Sequence, residues 1–504
     1  MEVCRKWSSS PLRILILFFL VYGITIRIAE YLDCRSIWLD EASLAVNVLD
    51  RSLSQIIKGD LDYSEAIAPL GFLSITKLFV MIFGNSEYSL RGVPFICGII
   101  SFLLFYIFLK KYAFTEFSVL LAVMLFSGST TLLRYTTEFK PYIVDVFFSL
   151  VLILYALHFF RATISKRHVF LLILLGLLAL WCSYPSLFTL AGIGVALLYR
   201  ILAKRDYKAL FYLSVVFIIW ALFFFRLFYL SLHRIDTPIR HDYWKYAFMP
   251  YPISSLSSQL WIVDSIVSIF YYPFGFHQAF CGIILFVLGN IVIFGRNRFL
   301  FWLVISPIIF AMVAAMFHRY PFSGRLVLFY VPIGFFVIAE GLSSLFYKKS
   351  NFFKVIGCIL FIIVMWFPLK VFHMHLRYYT VYREDIKPVL QYVKKHAKLG
   401  DTIYIYNGAV EAFNYYKRIM GFGDEYRYIL GGSLEGNMEK FKEQILKLNK
   451  PSRFWVIFTH IASDENGKTD DVYILDYLNK IGKKEAELKA YRASGYLYNL
   501  SGCD

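Results

Sequence analysis

Asp40 and Glu41 stand side by side in the stretch SIWLDEASL (36–44), a few residues after an apolar run long enough to span a membrane. A carboxylate held at lipid-headgroup depth is well placed to take a proton from a hydroxyl whose reaction partner is embedded in the membrane. The plainer alternative makes Asp40 the cap of a helix beginning at Glu41, with Glu41 in a first turn favoured by the helix dipole. A second group, RYTTEFK (134–140), joins Arg134 and Lys140 to Glu138, and Asp145 follows just inside the next apolar run. A third, HRYPFSGRLVLF (318–329), carries Arg319 and Arg325, whose planar forks suit bidentate phosphate binding. Arg91 stands at the entrance to another apolar run, after GNSEYSL. Any of these could be a snorkelling side chain and nothing more. What separates the two readings is where the elements put them.

Those elements are membrane helices. Of 504 residues, 59% are hydrophobic and 19% aromatic, well above the roughly 45–50% apolar content of soluble domains. Repeated apolar runs of about 17–23 residues identify a polytopic α-helical membrane protein. The first run has no small-residue cleavage site behind it, so it is expected to stay as an anchor. The net charge of +17 is not a nucleic-acid footprint. From Arg377 onward there are about 20 basic and 17 acidic residues, roughly +3, so about +14 lies in short connections between apolar runs, as the positive-inside rule demands. No nucleic-acid partner is expected. The seven cysteines show no CxxC and no metal spacing, and a pairing of Cys34 with Cys503 is left open.

Charge bias also threads the chain. Arg5 and Lys6 hold the N-terminus inside, so the first span, near 11–29, runs outward. The next run, Pro69 to Phe83, is short and contains Lys77. If it stays outside, Lys110–Lys111, Lys166–Arg167, Lys204–Arg205, Arg296–Arg298 and Lys348–Lys349 all fall inside; if it crosses, all fall outside. The first arrangement obeys the rule. About eleven spans are then expected: the first, and others near 92–109, 116–133, 141–160, 168–184, 186–202, 208–230, 279–295, 299–316, 325–346 and 353–371. Residues 30–90 become one outer loop with membrane-lying helices, and every chemical group named above lies at the outer face.

The chain is expected to divide into a transmembrane domain, 1–372, and a C-terminal α/β domain, 377–504, on the same outer side. In the second, helices near 384–397, 408–418, 435–448 and 471–481 alternate with strands near 402–406, 453–459, 486–492 and 495–500. The spans are nearly free of charge, with Arg226 and Glu340 towards their ends. That favours chemistry on a lipid-anchored phosphate over translocation, which needs polar groups at mid-membrane. A lipid-linked glycan flippase or polymerase-like protein is the alternative from another class, and a receptor working through its C-terminal domain is a third.

Five motifs in order give the chain its likeness: Trp38-Leu-Asp-Glu-Ala42, Ala68-Pro-Leu-Gly71, Phe83-Gly-Asn-Ser-Glu87 with Arg91, Arg134-Tyr-Thr-Thr-Glu-Phe-Lys-Pro-Tyr142, and Tyr320-Pro-Phe-Ser-Gly-Arg325. With this topology they resemble the GT-C superfamily of polytopic glycosyltransferases, in its branch of bacterial aminoarabinose transferases and protein O-mannosyltransferases. The chain departs from the aminoarabinose transferases at Ala66-Ile-Ala-Pro69, where those carry a charged residue and a double proline. The resemblance implies a polyprenyl-phosphate sugar donor, a lipid, glycan or protein acceptor on the outer face, and residence in a bacterial inner membrane. It implies Asp40 as general base, Glu41 or Glu138 orienting the acceptor or a divalent cation, and Arg91, Arg134, Lys140, Arg319 and Arg325 around the donor phosphate.

Overall fold

The computed structural model describes residues 11–61, 67–161, 165–205, 207–235, 242–378, 384–432, 438–446, 452–463 and 467–501. Ala66, His241 and Cys503 lie outside this set. Helix α1 (Pro11–Leu32) is the first apolar rod, and its outward face of Ile14, Leu17, Phe18 and Val21 is exposed as a lipid-facing surface requires. After it come α2 (Leu39–Asp50) and α3 (Leu70–Phe83). At 14 residues, α3 is about 21 Å long, too short for a hydrocarbon core of roughly 30 Å. Lys77 on α3 donates to the Val48 carbonyl of α2 at 2.8 Å. The two short helices therefore brace each other.

Helix α4 (Glu87–Tyr112) is a full span capped by Ser86, whose hydroxyl accepts from the Ser89 amide. The next expected span is broken: α5 (Glu116–Ser127) and α6 (Thr130–Thr136) meet at 57° around Gly128 and Ser129. The bend turns the RYTTEFK segment back towards α2. Helix α7 (Tyr142–Arg161) then begins with Asp145 in its first turn.

Among the described residues, nine helices are long and apolar enough to cross a membrane, ten if the bent pair is one span. Sequence spacing predicted about eleven. The difference is at Lys166–Cys182, a helix of 17 residues, or about 26 Å. The segment Gly324–Phe346 lies at the centre, almost wholly buried. It packs against Ala279–Arg296 through small residues: a Cβ on Gly289 would strike the Val337 carbonyl, and one on Gly341 the Leu285 carbonyl. Such close backbone approach is how membrane helices gain contact where lipid is as apolar as leucine. Gly289→Val should destabilise the bundle by about 1–3 kcal/mol through overpacking, seen as a lower Tm in detergent; an unchanged Tm would contradict this packing.

One charge near the end of a span, Arg27, is not singled out by the sequence. Arg27 is fully buried within α1, donating to the Gly23 carbonyl at 2.7 Å and the Phe126 carbonyl at 3.3 Å, with its guanidinium 5.2 and 5.1 Å from the Phe102 and Phe126 ring centroids. Bonds to backbone carbonyls and ring faces make it a brace between α1, α4 and α5.

The C-terminal part holds a five-stranded sheet of order β2-β1-β3-β5-β4, with β1 at Thr402–Ile405, β2 at Arg427–Leu430, β3 at Phe454–Thr459, β4 at Lys483–Ala490 and β5 at Ala493–Asn499. β1 runs parallel to β2 and β3, with Thr402 opposite Arg427 and Phe454, whereas β5 is antiparallel to β3 and β4. β3 (FWVIFT) is buried along its whole length, which is why it reads clearly in the sequence. β2 was not predicted. It is four half-exposed residues at the sheet edge and carries no alternation to find.

This domain sits on the segment leading into α2. Helix α8 (Ile386–His396) brings Lys387, whose amide donates to Ser36 Oγ at 3.0 Å and whose Nζ reaches the Cys34 carbonyl at 3.1 Å and Glu87 at 2.7 Å. Helix α9 (Val410–Met420) brings Tyr416, whose hydroxyl accepts from the Ile37 amide at 2.8 Å and donates to Glu87 at 3.2 Å. Arg418 on the same helix pairs with Asp50.

Candidate functional site

Helix α2 begins two residues earlier than a capping role for Asp40 would need. Its first residue is Leu39, Trp38 occupies the cap without a side-chain bond, and Asp40 and Glu41 both lie in the first turn. Their carboxylates are thus free to reach other elements, and they turn to different partners.

Asp40 is partly exposed. Its Oδ2 lies 3.0 Å from Arg325 and 3.4 Å from Lys140 Nζ, with the Asp40 side chain one quarter exposed. Burial pushes the Asp40 carboxyl up, but the Lys140 and Arg325 charges outweigh it and hold the group below the usual carboxylate range. Burial likewise lowers Lys140, partly offset by Asp40. Arg325 opens the 3-10 turn Gly324–Tyr330 and lies over the Tyr142 ring, 5.4 Å from its centroid. Two cations thus share one carboxylate oxygen at a half-open surface.

Glu41 turns inward and is fully buried. Arg91, one turn into α4, donates Nε to Oε1 at 2.8 Å and NH2 to Oε2 at 2.6 Å, and the Phe139 amide adds a third bond at 2.6 Å. Burial raises the Glu41 carboxyl, and Arg91 outweighs it and lowers it. The rest of the Arg91 fork is also engaged, with NH1 on the Arg35 carbonyl at 2.7 Å and NH2 on the Ser36 carbonyl at 3.1 Å. A guanidinium so fully used clamps the loop 35–41 to α4.

Glu138, also buried, forms a third node. It accepts from Arg134 Nε at 2.9 Å, and Arg35 stands 3.7 Å away. Arg35 was not singled out in the sequence, although an arginine on the outer side was itself a signal. Three buried atoms in this node have no hydrogen-bond partner among the described residues: Glu138 Oε1, Arg134 NH2 and Arg35 NH1. Orphaned buried polar atoms are rare and mark a site completed by something else. The nodes are stitched together by the chain itself, since Glu138, Phe139 and Lys140 are consecutive and each serves a different one.

A cavity of about 470 Å³ opens beside the cluster, lined in part by Tyr271, Tyr272, His277, Phe280, Ser323 and Gly324. Ser323 and Gly324 lead directly into Arg325, and the Tyr272 hydroxyl meets the Tyr135 hydroxyl, next to Arg134, at 3.0 Å. Arg319 is exposed on the turn that follows His318, whose backbone is left-handed at φ 54°. A divalent cation does not fit these residues. No three His, Cys, Asp or Glu side chains gather to hold a metal among the described residues, and Asp40, Glu41 and Glu138 each meet lysine or arginine instead.

The fold is that of a polytopic helical membrane protein, with the charged cluster between the membrane helices and a C-terminal α/β layer. Residues 68–229 match a family described as dolichyl-phosphate-mannose-protein mannosyltransferase. The apo structure of ArnT from Cupriavidus metallidurans is similar over 97% of this chain and 98% of that one, at 11% identity and a TM-score of 0.52. The same protein bound to undecaprenyl phosphate aligns over 96% and 97% at 10% identity and a TM-score of 0.53. The archaeal oligosaccharyltransferase AglB from Archaeoglobus fulgidus, in complex with an inhibitory peptide and a dolichol-phosphate, aligns over 96% of this chain and 74% of that chain, at 12% identity and a TM-score of 0.52. No curated protein sequence matches the chain.

Proposed function

We propose that the chain is a membrane glycosyltransferase that moves a sugar from a polyprenyl-phosphate carrier to an acceptor on the outer face of a bacterial inner membrane. The observation that carries this reading is the pairing of one accessible carboxylate, Asp40, with two cations, Lys140 and Arg325, at 3.4 and 3.0 Å. A polyprenyl phosphate leaves as a stabilised anion, so its departure needs charge neutralisation more than a strong acid. Lys140 and Arg325 supply that neutralisation, and Arg134, whose NH2 has no hydrogen-bond partner among the described residues, is assigned to the same phosphate. Arg91, fully engaged with Glu41 and two carbonyls, holds the loop in place and leaves the phosphate to the others. Arg319, exposed at the outer turn, is assigned to the approach of the anionic donor.

In this mechanism the acceptor hydroxyl or amine attacks the anomeric carbon from the face opposite the phosphate. Its proton passes to Asp40, the carbon–oxygen bond to the phosphate breaks, and the phosphate departs onto Lys140 and Arg325; a single displacement inverts the anomeric centre. Donor binding prepares this step, because a phosphate that takes up Lys140 and Arg325 removes the charges that depress Asp40 and makes it a better base. Lipid, glycan and protein acceptors all satisfy the chemistry.

The test is to incubate the purified protein with sugar-labelled polyprenyl phosphates and follow release of free polyprenyl phosphate. Turnover of at least one donor is expected, and none with any donor would overturn the reading. Arg325→Met should raise the dissociation constant for polyprenyl phosphate at least tenfold, the effect of losing one charge-assisted bond. Unchanged binding in that variant would remove Arg325 from the phosphate site.

A further inference from the structure

His460 belongs to the C-terminal domain yet faces the membrane-side cluster. It follows β3 directly, at the carboxyl end of a strand that runs parallel to its neighbour β1. Open sheets with parallel strands bind ligands at that end, where strand-leaving loops converge. Its ring lies 6.4 Å from the Trp38 ring, centroid to centroid, at the cap of α2 and two residues before Asp40.

The histidine is held for a purpose other than packing. Its Nδ1 bonds Glu384 Oε1 at 2.8 Å, and the second Glu384 oxygen lies 3.3 Å from Thr459 Oγ1, whose single proton it shares with the Arg492 carbonyl at 3.1 Å. Its backbone is left-handed, at φ 49°, which costs energy for a residue with a side chain. With Nδ1 engaged, the opposite ring nitrogen Nε2 has no partner among the described residues, and the side chain is 47% exposed. A carboxylate that orients an imidazole and leaves its far nitrogen open is the arrangement by which proteins aim a histidine at a ligand.

We propose that His460, oriented by Glu384, is an acceptor-contacting residue that the C-terminal domain lends to the reaction centre, its Nε2–H bonding an oxygen of the incoming acceptor and holding the nucleophile against Asp40. This rests on the transferase reading above. It gives the soluble domain a part in the reaction: the acceptor enters from water, between that domain and α2, while the donor lies in the membrane-side cavity with Lys140 and Arg325. The groups that act on the imidazole are Glu384, which leads into α8, and Asp40, on α2. The bond to Glu384 comes first, burial opposes it, and together the two carboxylates raise His460 above its ordinary value, so the cationic donor form persists further towards neutral pH.

The experiment uses the full chain with the polyprenyl-phosphate sugar and acceptor extract that give turnover in the wild type. His460→Asn is the main variant, because asparagine tolerates the left-handed backbone but is too short to reach. Its acceptor KM should rise about tenfold while the saturating rate falls less than threefold, and retained thermal stabilisation by polyprenyl phosphate reports a folded protein. In the wild type the acceptor KM should rise as pH climbs through the elevated His460 value, and in Glu384→Gln that rise should move to lower pH. An acceptor KM within twofold of wild type in His460→Asn, or a pH profile unmoved in Glu384→Gln, overturns the assignment while leaving the transferase reading intact. A wild type that consumes no donor overturns both.

Discussion

Asp40→Asn should lose sugar transfer by a factor of about 10³ or more while the protein still folds and binds polyprenyl phosphate. General base catalysis contributes typically 10²–10⁴-fold, and asparagine cannot accept the proton. The charge change also frees Lys140 and Arg325, which share Asp40 Oδ2 at 3.4 and 3.0 Å in the resting protein. Polyprenyl phosphate should therefore bind Asp40→Asn at least as tightly as wild type, so activity and donor affinity move in opposite directions. A purely structural Asp40 would lower both. The pH profile adds a sign. With its carboxyl held below the usual range by Lys140 and Arg325, the free enzyme keeps Asp40 ionised until pH falls below about 3.9. Once the donor phosphate occupies the two cations, the base titrates higher, so the acid limb of kcat should lie at higher pH than that of kcat/KM. Full activity in Asp40→Asn would remove this residue from the mechanism.

Glu41→Gln, one position away, should act on stability instead. Glu41 and Arg91 are both buried and joined by two bonds of 2.8 and 2.6 Å. Removing one partner leaves the other charge buried without compensation, which costs about 3–5 kcal/mol. The expected result is a large fall in Tm in detergent and a poor yield. The double variant Glu41→Gln/Arg91→Met should recover part of the loss, since it removes the stranded cation as well. The sign of the pH dependence follows from the lowered Glu41 carboxyl: its stabilising share is complete above the ordinary carboxylate range, about 4.3, and is lost as pH falls through the lower folded value. A Tm change equivalent to under 1 kcal/mol in Glu41→Gln would show the pair to be dispensable.

These adjacent acids also mark how far sequence could carry the reading. Type and spacing picked out Asp40, Glu41, Arg91, Arg134, Glu138, Lys140, Arg319 and Arg325; the folded chain brings seven of the eight into one connected cluster and leaves Arg319 exposed on the turn after His318. Sequence did not divide them into separate nodes. That division depends on the helical turn, which rotates neighbouring side chains by about 100°: Asp40 points to the open surface and Glu41 into the interior. The capping alternative for Asp40 gave way for the same reason, because the helix starts at Leu39 and its carboxylate is drawn to lysine and arginine. Arg35, Tyr135, Tyr272, Glu384 and His460 were passed over, since their importance comes from partners 75 to more than 400 residues away in sequence.

By itself the sequence determined a polytopic helical protein and a mixed C-terminal layer. Each follows from local hydrophobic length and period, which the solvent reads residue by residue. Only the tertiary structure decided that one expected span is bent at Gly128, that Asp40 holds two cations while Glu41 is sealed beneath it, and that a histidine from the far end of the chain leans over the cluster. Those outcomes depend on contacts between distant segments, where burial and charge compensation are settled jointly and no single stretch carries the information.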